Sequence, residues 1–229
     1  TGAGKTTLFA VAAGSVPAPR GRVLLDGKQV SGKAGHRSVH QGICRTHQIV
    51  RPFAKLSVLD NVLVGHYYGR PGPGHGTPLE HAMGILEFIG LADRSHQLPS
   101  QLTLVDRKKL EVARALATGP RVLLLDEVVA GLNPVEARRL VDLIRLIRDR
   151  GTSIIMIEHV MHAVMGVSDR VMVLDHGRQI AEGTPQEVVK VPQVIEAYLG
   201  RDGDEPAEED DPKPGQPRGE TRGASSPPP

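Results

Sequence analysis

Two short stretches carry residue types that handle phosphate. The first is Gly2-Ala3-Gly4-Lys5-Thr6-Thr7, at the head of the chain. Glycines let backbone N–H groups turn inward, where they and the N-terminus of a following helix cradle phosphate oxygens. A lysine adds a point charge to those oxygens, and a threonine hydroxyl is a ligand for Mg2+. The full pattern, G-x-x-x-x-G-K-[ST], has a glycine five residues before the second one. This sequence begins only three residues before Gly4, so by itself the half-pattern also fits a turn before an apolar helix, Leu8–Ala13. The second stretch is Val122-Leu123-Leu124-Leu125-Asp126-Glu127. An apolar strand ending in two carboxylates sets them at the C-terminal edge of a sheet, where ligands bind in open α/β folds. There Asp126 would hold Mg2+, directly or through water, and Glu127 would orient or deprotonate an attacking water.

The elements around these stretches follow from pattern. Val122–Leu125 and Ser153–Ile157 are continuous apolar runs of the kind expected for strands buried on both faces of a parallel sheet. Between them Asn133 offers an N-cap, Pro134 fits the first helical position, and Gly151 stops a helix that runs from Pro134 to Arg150. Strand, helix, strand makes a crossover unit. Arg22–Leu25 leads into a turn at Asp26-Gly27, and Arg170–Leu174 with Gln179-Ile180 flank a hairpin turn at Asp175-His176-Gly177. Thr184-Pro185-Gln186-Glu187 announces a last helix through a capping box. From about residue 55 to 118 the pattern is helical, which suggests a helical lobe inserted into an α/β core.

Composition narrows the class. The 229 residues suffice for one large domain, or for a core with a smaller lobe. A single cysteine, Cys44, excludes an internal disulfide framework and fits a reducing compartment. No apolar run is long enough to span a bilayer. Residues 201–229 hold four basic and eight acidic residues, many prolines and almost no apolar ones, and are expected to be disordered. The preceding 200 residues carry 24 basic against 18 acidic side chains. That excess suits a phosphate ligand or an anionic membrane surface and is too weak to argue for nucleic acid.

Taken in order, these motifs resemble those of the ABC-type ATPases over residues 1 to about 200. Gly-Ala-Gly-Lys-Thr-Thr resembles the Walker A loop and Val122–Glu127 the Walker B strand. Ala130-Gly131-Leu132-Asn133-Pro134 resembles the D-loop, His159 the switch histidine, and Gln48 the Q-loop glutamine. Lys5 precedes Gln48 by 43 residues and Asp126 precedes His159 by 33, spacings similar to those of the family. The wording of residues 43–65, 107–120, 126–134 and 157–185 is similar to ATPases of branched-chain amino-acid importers.

The resemblance implies an α/β P-loop fold with a mixed sheet and an inserted α-helical subdomain. It implies ATP and Mg2+ as ligands. Gly2, Gly4, Lys5, Thr6 and Thr7 would bind nucleotide, and Thr6, Gln48 and Asp126 would bind the metal. Glu127, His159 and Gln48 would be catalytic, and Gly131, Leu132 and Asn133 would form the D-loop. It further implies a second ATPase subunit, identical or different, and membrane permease subunits, with the chain lying on the cytoplasmic face of the membrane. The alternatives are a truncated or degenerate ATPase with little activity alone, and a non-transport ABC ATPase. Repair members carry long insertions between the Q-loop and the signature, and ribosomal members carry tandem domains; this chain has neither.

Two departures stand out. Where the family carries LSGGQ, this chain has Leu102-Thr103-Leu104-Val105-Asp106. Thr103 keeps a hydroxyl, but Leu104 and Val105 replace both glycines. Val105 restricts φ and crowds the approach to a γ-phosphate. Asp106 adds a negative charge that needs a compensating cation. The expectation is an asymmetric dimer, in which this chain's nucleotide is hydrolysed against an intact signature on its partner. The second departure is the missing front of the loop, with its feeding strand and the aromatic that stacks on adenine. Loss of that stack alone is expected to cost ~1–3 kcal/mol, so the chain is expected to be N-terminally incomplete and to bind ATP less well than a longer form.

Overall fold

The computed structural model describes residues 2–31, 35–46, 51–70 and 76–202. The tail from residue 203, and Gln48 within 47–50, lie outside the described residues.

The chain opens with helix α1 (Lys5–Ala12), then a hairpin of β1 (Leu24–Leu25) and β2 (Lys28–Gln29), helix α2 (Gly35–His40) and strand β3 (Ile43–Arg45). Three helices follow, α3 (Val58–Tyr68), α4 (Pro78–Ile89) and α5 (Leu104–Ala117), and between β3 and β4 (Val122–Asp126) the described residues form no strand. Helix α6 (Pro134–Asp149) crosses to β5 (Ser153–Ile157). Helix α7 (Met161–Val167), the hairpin of β6 (Val171–Asp175) and β7 (Arg178–Gly183), and helices α8 (Pro185–Val188) and α9 (Pro192–Asp202) complete the fold.

β4 is the centre. It pairs in parallel with β3 on one side and β5 on the other, with Asp126 opposite Ile157. Its alternating side chains serve two layers, as a strand's two-residue period requires. Leu123 and Leu125 enter the larger core with Leu140, Ile144 and Ile147 of α6. Leu124 enters a smaller core with Phe9 of α1, Ile43 and Ile157. Asp126, two residues on from Leu124, therefore belongs to the α1 face.

Local signals act where expected. Asn133 accepts from the N–H groups of Val135 and Glu136, and Glu136 returns the bond to close a capping box. Thr184 does the same with Glu187. Gly90 ends α4 in the left-handed conformation with φ 72°. Three expectations change. α1 starts at Lys5, directly after Gly4, rather than at Leu8. β3 has no counterpart in the sequence reading, because a three-residue strand shows too little periodicity. β5 is not buried on both faces: Ile155 is 52% exposed. A cleft of about 770 Å³ lies between β5 and β6, and Ile155 lines it.

Candidate active site

The phosphate-type loop is built for an anion. Gly2 and Gly4 hold φ of 89° and 85°, values that glycine tolerates and residues with a Cβ rarely adopt. Gly4 caps α1 and has no side chain to accept from the helix's first N–H groups, and no acidic residue sits in its first turn. Those donors, with the positive end of the helix dipole, face outward beside the exposed Thr6 and Thr7. The β6–β7 turn braces the loop from behind, since the Gly177 N–H donates to the Ala3 carbonyl at 3.2 Å.

Asp126 lies at the end of β4 and is 2% exposed. Its Oδ2 accepts from Arg45 Nη2 at 2.6 Å, and its own N–H donates to Thr46 Oγ1 at 3.3 Å. Its Oδ1 is buried without a hydrogen-bond partner among the described residues. A buried carboxylate oxygen in that condition fits a hard cation such as Mg2+. Glu127 leaves the strand at φ 48°, an uncommon conformation for a residue with a side chain and one that occurs at functional sites. Its N–H donates to the Ile157 carbonyl at 2.9 Å, and its own carbonyl accepts from Lys108 Nζ at 3.2 Å. His159 Nδ1 stands 4.0 Å from Glu127 Oε1, adjacent but too far for a direct hydrogen bond. His159 also lines a smaller cleft, about 130 Å³, together with Lys5 and Glu158. The fold thus brings Lys5 of the loop toward His159 and sets Glu127 beside His159.

Three residues at this centre escaped sequence reasoning: Arg45, Lys108 and Glu158. Lys108 comes from the buried side of α5, and burial holds its ammonium below the ordinary lysine value while Glu158, Glu111 and Glu127 pull the other way. Glu158 accepts the Val129 N–H at 2.9 Å, and burial pushes its carboxyl above the ordinary glutamate value against that bond. The only signal for these residues was a charge next to or within an apolar run, which is not distinctive.

The segment at 102–106 differs in detail from the sequence reading. Thr103 is the N-cap of α5 and accepts the Asp106 N–H at 3.3 Å, while its hydroxyl donates to Asp106 Oδ2 at 2.6 Å. Arg94 pairs with the same carboxylate and supplies the compensating cation. Leu104 and Val105 occupy the first helical turn, and neither adopts a positive φ, so branching at Val105 strains nothing in the backbone. The obstacle they present is bulk: Leu104 is exposed and reaches toward Gly131, where a Cβ would stand 3.5 Å from its Cδ2. Gly131 itself takes φ 77°, and Leu132 packs on the larger core while Asn133 caps α6.

This arrangement defines a nucleoside-triphosphatase class of the P-loop kind, and comparison with known proteins places it. The chain belongs to the ABC transporter family, whose description matches residues 1–130. The description "Branched-chain amino acid ATP-binding cassette transporter" matches residues 178–204. Over 213 residues the chain is 39% identical to the high-affinity branched-chain amino acid transport ATP-binding protein LivG of Escherichia coli, covering 87% of this chain and 84% of that protein. It is 35% identical, with the same coverage of both chains, to the corresponding protein BraF of Pseudomonas aeruginosa. A crystal structure of an ATP-binding cassette of an ABC transporter in its ADP conformation superposes with a TM-score of 0.77. That structure is 30% identical and covers 86% of this chain and 84% of its own.

Proposed function

We propose that this chain is the ATP-binding and ATP-hydrolysing subunit of an importer for branched-chain amino acids or related small solutes. The observation that carries this reading is the packing of the helix that follows a phosphate-type loop against β4, which ends in Asp126, in a chain whose relatives are named for that transport.

In this reading Gly2, Gly4, Lys5, Thr6 and Thr7 bind and orient the phosphates. Asp126 and Thr6 hold Mg2+, which when bound neutralises phosphate charge. Gln48 is assigned the same metal and a catalytic role on sequence alone, since it lies outside the described residues. Glu127 accepts the proton of the attacking water, and His159 faces the terminal phosphate. The bulk at Leu104 and Val105 supports an asymmetric dimer, with this chain's site completed by a partner ATPase subunit. Residues of about 55–118 form the lobe through which closure reaches membrane permease subunits. The chain attaches peripherally to those subunits at the inner face; no helix among the described residues is long and apolar enough to cross a membrane.

The test is uptake of leucine by vesicles that contain the chain with its permease and partner subunits and ATP at the chain's side. Uptake is expected to require ATP and to collapse with Lys5→Ala. Leucine uptake that proceeds equally without this chain would overturn the reading.

A further inference from the structure

Arg45 holds the buried carboxylate of Asp126. It is the last residue of β3, and its side chain is 11% exposed while that of Asp126 is 2% exposed. Its Nη2 bonds Asp126 Oδ2 at 2.6 Å, and its guanidinium carbon lies 5.9 Å from the centre of the Phe9 ring on α1. The guanidinium therefore sits between the helix that follows the phosphate loop and the carboxylate at the end of β4.

The pair is incompletely satisfied. Arg45 Nε and Asp126 Oδ1 are both buried with no hydrogen-bond partner among the described residues. Arginine–carboxylate pairs are frequently bidentate, with both bonds of the fork closed. Here one oxygen is held and the other is left open, in a place where water is scarce and each missing bond is costly.

We propose that Arg45 is a positioning residue that holds the metal-binding carboxylate in the absence of metal and competes with the divalent cation for it. Arg45 balances the Asp126 charge in the metal-free chain, and a divalent cation arriving at the open Oδ1 meets the guanidinium's positive charge held on Oδ2. This rests on the reading of Asp126 as the metal ligand.

The experiment uses the full chain with saturating ATP and Mn2+ as the probe, following protein-bound Mn2+ by electron paramagnetic resonance. Four proteins are compared: wild type, Arg45→Met, Arg45→Lys and Asp126→Asn. A parallel melting curve is taken without metal or nucleotide. Arg45→Met is expected to bind Mn2+ about fivefold more tightly than wild type, the low end of typical coupling between ligands. Its metal-free melting temperature is expected to fall by roughly 5–10 °C, as for a buried charge left without its partner. Arg45→Lys, which keeps a cation, is expected to return both quantities toward wild type. A purely structural role for Arg45 lowers the melting temperature without tightening Mn2+. Unchanged or weaker Mn2+ binding in Arg45→Met, with Asp126→Asn still weakened, overturns this inference alone. If Arg45→Met does not fold, Arg45→Gln takes its place: Mn2+ binding tighter than wild type supports the competition, and equal or weaker binding overturns it. If Asp126→Asn binds Mn2+ as well as wild type, the metal-ligand reading fails and the inference fails with it.

Discussion

Glu158 accepts the Val129 N–H with one oxygen, and its other oxygen is buried without a hydrogen-bond partner among the described residues. Burial raises its proton affinity above the ordinary value of 4.5. The folded state thus holds this proton more tightly than the unfolded chain does. Glu158 favours folding at acid pH, and that contribution is lost as pH rises from 4.5 through the raised folded value. Glu158→Gln keeps an acceptor for Val129 and removes the slope. Melting curves across acid to neutral pH are expected to show the variant gaining on wild type as pH increases. A constant difference between the two would contradict this account. Lys108 works from the other side of the same carboxylates: its Nζ holds the Glu127 carbonyl while the Glu127 backbone turns through φ 48°. Together the two residues hold the backbone that leaves the strained glutamate.

At the scale of elements, α5 joins the altered signature to the site. Its N-cap is Thr103, and Thr103→Ala is expected to cost about 1 kcal/mol in a denaturant titration, the usual loss for a missing hydroxyl cap. A change below a few tenths of a kcal/mol would show that the Arg94–Asp106 pair holds this turn by itself. The elements that were legible in the sequence were those with strong local signals. The Asn133-Pro134 start of α6 and the Thr184 capping box declare themselves through short-range hydrogen bonds, and β4 through an unbroken apolar run. β3 was not legible, because three residues show no period. Its pairing with β4 is decided by a partner about eighty residues away. Arg45 was hidden for the same reason: a charged residue after Ile43-Cys44 looks like a solvated strand end until the fold sets it against Asp126. The half-exposed β5 was likewise invisible, since an apolar run predicts burial without showing that a cleft lies beside the strand.

At the scale of the molecule, the site is assembled from distant pieces: the loop at residues 2–7, the end of β4, and His159 after β5. The loop and β4 meet through the small core of Phe9, Ile43, Leu124 and Ile157, so the position of α1 relative to Asp126 depends on that packing. Only half of the catalytic requirement lies in this chain by the asymmetric reading. Its loop and carboxylates are retained, while Leu104 and Val105 thicken the surface that would close on a partner's nucleotide. In the proposed asymmetric pair, turnover is expected to depend on this chain's glutamate more than on its partner's. The most direct measurement is steady-state ATP hydrolysis by the assembled complex carrying Glu127→Gln in this chain, with ATP binding measured in parallel. Hydrolysis is expected to fall by at least roughly 100-fold, the scale of a lost general base, with ATP binding retained. Hydrolysis at the wild-type rate would contradict the assignment of Glu127 and the placement of the working site in this chain.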